Sequence, residues 1–150
     1  MTTIVTLIHV PIDVDLCDRV RALVAGYLGG QPLPADLTAE PLAIRAGTAV
    51  IYLRLVDAEP PVVRIFSPLL RHVERTAELL AELNELNSVL NFLRLFWRDG
   101  TVYVANELLA ETLTASELAN ACDALADTAD YYDVRLHARF GGDIAFANPT

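Results

Sequence analysis

The sequence predicts a two-layer α+β domain with an antiparallel sheet of about five strands and helices packed on one face. Three observations carry this. Asp99-Gly100 sits between two β-rich runs, Ala58-Glu59-Pro60 between two more, and amphipathic helical patterns precede, separate and follow these hairpins. Strands joined by tight turns pair antiparallel, and helices segregated to one face of such a sheet give two layers around one core.

The first pattern along the chain is Thr3–Val10, rich in Ile, Val and Thr, which reads as a strand without clean alternation. Asp13 or Asp15 then caps a helix whose Leu16, Val20, Leu23, Val24 and Tyr27 recur at three- and four-residue spacing. Gly29-Gly30 stops it, and Gln31–Pro41, with three prolines, reads as a loop. The strands Thr48–Asp57 and Pro61–Ser67 follow, with Ser67-Pro68 ending the hairpin. A helix falls within Thr76–Ser88, although Ser67 and Pro68 also suit an earlier cap. Phe92–Arg98 and Thr101–Asn106 flank Asp99-Gly100, a pair suited to two turn residues of positive φ. Thr114-Ala115-Ser116-Glu117 is a capping box opening a helix to about His137. Its apolar stripe is Leu118, Cys122, Leu125, Ala129, Tyr132 and Leu136, with Asp123, Asp127 and Asp130 facing water. With no repeat and no linker, residues 1–150 read as one domain.

Composition narrows the function. A hydrophobic content of 53% in 150 residues excludes global disorder. A net charge of −9 opposes nucleic-acid phosphates and anionic membrane surfaces alike. No apolar run approaches the ~18 residues that span a bilayer, and Met1-Thr2-Thr3 carries no basic segment of a secretory signal, so the chain reads as cytoplasmic. All 11 basic residues are Arg. With the high Ala content this reads as a GC-rich bacterial genome, and it removes Lys as base, Schiff-base former or phosphate ligand.

Catalytic and metal signatures are weak. His9, His72 and His137 are scattered, and Cys17 and Cys122 belong to no C-x-x-C pair, so neither a metal nor another cofactor is expected; both cysteines read as buried free thiols. The best enzymatic candidate is Asp13-Val14-Asp15 after the apolar Ile4–Ile12, the placement used by haloacid-dehalogenase-type phosphatases. Hairpins in place of parallel crossovers, the missing later acidic pair and Pro11 count against it. Helix capping by these aspartates accounts for them.

Strand parity gives a sharper expectation. Arg98 pairs with Thr101 across the turn, which places Phe92, Arg94, Phe96 and Arg98 on one face with Tyr103. Leu93, Leu95 and Trp97 share the other, core-facing side with Val102 and Val104. The earlier hairpin repeats the division, with Tyr52, Arg54, Arg64 and Phe66 opposite Ile51, Leu53, Leu55, Val63 and Ile65. Aromatics and Arg are enriched at interfaces, whereas Arg stems lying over aromatics also make an ordinary solvated face. The interface reading makes these nine residues the expected partner-binding set.

Two local signatures add a resemblance. Leu83-Asn84-Glu85-Leu86-Asn87 closes the middle helix before a hairpin, and Arg139-Phe140-Gly141-Gly142 follows the last helix, which is entered by Leu113-Thr114-Ala115-Ser116-Glu117-Leu118. With the element order, these make residues 44–142 resemble the YbjN family and its relatives among type III secretion chaperones. The resemblance implies a secretion-chaperone-like fold and a small acidic protein, often a homodimer, that binds segments of a partner polypeptide without catalysis. Within that reading Asn84 and Asn87 either contact the backbone of a bound peptide or satisfy the open helix end, the commoner use, and Gly141-Gly142 makes a tight turn. The alternative class is an enzyme or small-ligand domain with a pocket between sheet and helices.

Overall fold

A computed structural model describes residues 12–47 and 49–146; the strand expected at Thr3–Val10 lies outside them. Helix α1 (Val14–Leu28) precedes β1 (Leu42–Ala46), β2 (Ala49–Val56) and β3 (Val62–Arg71). Helix α2 (Ala77–Val89) leads to the hairpin β4 (Arg94–Arg98) and β5 (Thr101–Leu109). Helix α3 (Ala115–Phe140) and the short β6 (Asp143–Ile144) follow. The strands pair antiparallel in the order β1-β2-β3-β5-β4, with β6 beside the end of β3. The α+β architecture is as expected, with six strands instead of five.

The helix ends follow local chemistry. Asp13 caps α1, its Oδ1 accepting from the Asp15 amide at 3.1 Å, and Gly29 closes it at φ 64. Thr76 caps α2 by accepting from the Leu79 amide, which settles the start of that helix and excludes the earlier one at Ser67-Pro68. Thr114 caps α3, its hydroxyl accepting from the Glu117 amide and donating to Glu117 Oε1. Helix α3 runs three residues past His137.

Three differences from the sequence reading have physical causes. Strand β1 was not expected; it pairs with β2 around a turn in which Gly47 takes φ 63. Strand β3 does not end at Ser67-Pro68 but continues to Arg71, with a register shift between Pro68 and Leu70. Proline cannot donate to the ladder, so the strand passes it by a bulge, and Leu69 and Leu70 are both buried there. Phe92 precedes β4, has φ 65 and is 90% exposed. Here the chain is still turning out of α2, so strand alternation does not reach it.

Helix α3 lies across β2, β3 and β5, α1 packs along α3, and α2 covers β4. The core fills the space between: Ile51, Leu53, Leu55, Val63, Ile65, Val102 and Val104 from the sheet meet Leu118, Cys122 and Leu125 of α3. Burying each such aliphatic side chain contributes about 1.5–3 kcal/mol. Trp97 shares this face but is half-buried, because β4 is the sheet edge; its indole N–H donates to the Val73 carbonyl at 2.9 Å.

Both sequence signatures acquire structural reasons. Asn87 accepts from the Leu95 amide at 2.7 Å and donates to the Leu95 carbonyl at 3.0 Å, holding the edge strand to α2. It therefore reads backbone, but the protein's own. Gly141 and Gly142 both take positive φ as the chain turns from α3 into β6. A Cβ at Gly142 would sit 2.8 Å from the Arg71 carbonyl oxygen, so no other residue lets β6 approach β3 this closely.

Candidate functional site

The face of the sheet opposite α3 carries the second half of each strand's alternation. Register places Tyr52 beside Phe66, Arg54 beside Arg64, and Phe96 beside Tyr103. Tyr103 pairs also with Pro68, and Ala105 lies between Phe66 and Arg94. The rings form a continuous series across four strands. Tyr52 stacks on Phe66 at 5.5 Å, Phe66 meets Tyr103 edge-on at 6.5 Å, and Tyr103 stacks on Phe96 at 5.4 Å. These separations fall in the attractive range for aromatic pairs.

Arginines frame the rings. The Arg64 Nε donates to Glu107 Oε1 at 3.0 Å and the Arg94 Nη2 donates to the same oxygen at 2.7 Å. Burial pushes the Glu107 carboxyl up, but the two guanidinium bonds outweigh it and leave the group below its ordinary value. The Arg94 guanidinium also lies 5.7 Å from the centre of the Phe96 ring. The Arg54 Nη2 donates to the Thr38 carbonyl at 2.8 Å, while its buried Nε has no acceptor among the described residues. Arg98 is mostly exposed, with Asp99 4.0 Å away.

Together these side chains line an open cup of about 570 Å³ whose floor is the buried Ala105. Of the nine residues expected from sequence, Arg54, Arg64, Phe66, Arg94, Phe96, Arg98 and Tyr103 line the cup. Tyr52 joins through its stack on Phe66. Phe92 does not belong to the face. Ala105 and Glu107 were missed, although the alternation of Thr101 and Tyr103, continued two and four residues further, points to both.

The enzymatic candidates are placed differently. Asp13 and Asp15 line a separate exposed cleft of about 420 Å³ with Leu16, Arg19 and Glu111, away from the sheet face. No group of three or more His, Cys, Asp or Glu able to hold a metal occurs among the described residues. His72 Nδ1 lies 2.8 Å from Asp143 Oδ2, tying the end of β3 to β6. Cys17 and Cys122 are free thiols. Cys122 is buried, which pushes its thiol up to about 12, whereas Cys17 is only half-buried, contrary to expectation. No described helix is long and apolar enough to cross a membrane.

Two solved structures share this fold at low identity. A chain of the crystal structure of the ExsC–ExsE complex matches with TM-score 0.65 and 18% identity, over 82% of this chain and 96% of that one. A chain of the HopA1–SchA chaperone–effector complex matches with TM-score 0.59 and 18% identity, over 83% of this chain and 99% of that one. No curated protein matches by sequence. The profile described as type III secretion (YopN, CesT) and YbjN peptide-binding chaperone 1 matches residues 15–148. The chain therefore belongs to this family of peptide-binding chaperones.

Proposed function

We propose that the protein holds an extended segment of a partner polypeptide across the sheet face opposite α3, as a single non-catalytic domain acting in the cytoplasm. The observation that carries this is the unbroken aromatic series from Tyr52 to Phe96, spanning four strands on the side opposite α3, where no described helix packs. Crossing from β2 to β4 covers three strand spacings, about 14 Å, the length of four or five extended residues. Stacked rings flanked by Arg are the usual composition of an interface hot spot. The use of Asp13 as a helix cap supports binding without turnover.

We also propose a homodimer, supported by Val89 at 70% and Phe92 at 90% exposure where α2 hands over to β4. Singly exposed apolar residues are ordinary, but two so near together favour a covering partner. Light scattering is expected to return twice the monomer mass at micromolar concentration, and Phe92→Asp to halve it. The binding reading is tested by co-purification from native extract. Wild type is expected to retain a partner that Phe96→Asp loses while staying folded. Equal retention by both proteins would move the binding site off this face.

A further inference from the structure

The charge of the sheet face opposite α3 is opposite to that of the chain. Among the described residues, Arg54, Arg64, Arg94 and Arg98 surround the cup against Glu107 and Asp99, an excess of two positive charges on a protein of net charge −9. Glu107 is already shared between Arg64 and Arg94. Arg98 has its nearest carboxylate at the limit of ion-pair distance, and the Arg54 Nε lacks an acceptor among the described residues. We infer that the segment bound here is acidic, and that it places an apolar or aromatic side chain over Ala105 with carboxylates beside it on these guanidiniums. This rests on the proposed use of the face for polypeptide binding and names the chemistry of the occupant.

Two effects compete, and distance decides between them. The acidic residues of α3, among them Asp123 and Asp127, are exposed on the far layer. A layer spacing of about 10 Å already equals the screening length of about 10 Å at 0.1 M salt. The overall charge is therefore largely screened at the cup, while contact pairs with Arg are not. Guanidinium groups take carboxylates through paired hydrogen bonds, and Ala105 leaves room over the sheet where any larger side chain would fill it. A second copy of this chain placed face to face would oppose Arg to Arg, which sets it aside as the occupant.

The test uses two labelled peptides of about twelve residues, each carrying two phenylalanines, one with four glutamates and the other with four lysines in their places. Net charge alone favours the lysine peptide; the face favours the glutamate peptide. Fluorescence anisotropy at about 0.1 M salt is expected to show the glutamate peptide bound about tenfold more tightly, with the gap closing at about 1 M salt. Arg98→Glu, whose side chain is exposed and lies outside the core, is expected to weaken the glutamate peptide and strengthen the lysine one. Phe96→Asp is expected to release the glutamate peptide. Equal or tighter binding of the lysine peptide, with both lost in Phe96→Asp, would overturn the acidic occupant while leaving the face in use. Glutamate-peptide binding that survives Phe96→Asp would overturn the face itself. No binding of either peptide would overturn the inference outright.

Discussion

The two faces of the sheet are built from alternate residues of the same strands, yet they are composed by different rules. On the helix side, Ile51, Leu53, Leu55, Val63, Ile65, Val102 and Val104 are aliphatic and at most 1% exposed. On the other side the intervening positions include Tyr52, Arg54, Arg64, Phe66, Phe96 and Tyr103, all half-buried, with Arg94 and Arg98 exposed. A solvated sheet face is usually made of Thr, Lys, Glu and Ser, and Arg and aromatics in their place are the composition of a contact surface. Because alternation separates the two sets, the face that folds the domain and the face proposed to meet a partner can change independently.

The separation can be broken at chosen residues. The largest effect is expected from Ile65→Ala, at a fully buried position in the central strand, which should lower the unfolding free energy by about 2–5 kcal/mol in urea titrations. Trp97→Ala should cost about 3 kcal/mol, the low end for an aromatic truncation, since the ring is half-buried and the Val73 carbonyl loses its donor. Its neighbour Phe96→Asp should cost under about 1 kcal/mol while weakening partner binding by 2 kcal/mol or more. If Phe96→Asp unfolds the protein and Trp97→Ala does not, the two faces have been assigned the wrong way round.

The smallest effect concerns Glu107. Its carboxyl lies below the ordinary value of 4.5 when folded, so the stabilisation from its two arginines is present above that pH. It is lost as the pH falls through the lower, folded value. Screened by solvent, the contribution stays under about 1 kcal/mol. Stability curves of wild type and Glu107→Gln are expected to differ at neutral pH and to converge in acid, below the folded value. A gap that persists in acid would mean that shape rather than charge distinguishes the two side chains.

What the sequence made legible was local. Asp99-Gly100 fixed the β4–β5 register, so the pairing of Phe96 with Tyr103 and Trp97 with Val102 followed. Thr114–Glu117 marked the start of α3 for the same reason, a reciprocal bond within four residues. What stayed hidden depended on distant partners. Strand β1 has five residues and exists by pairing with β2. The two-residue β6 exists because Gly142 lets the chain reach Arg71. The passage of β3 through Pro68 depends on β5 accepting a bulge. Asn87 looked like a helix-end residue, and only the folded position of β4 turned it toward Leu95.

That last contact bears on how the protein behaves when concentrated. Strand β4 is an open border of the sheet, and the outward N–H and C=O of Leu95 are the groups on which a strand from another molecule would grow. Asn87 already occupies both. Within a five-residue strand, alternation leaves only Trp97 with free outward backbone groups, too few for a stacking chain to take hold. One amide side chain thus blocks strand growth along this border of the sheet.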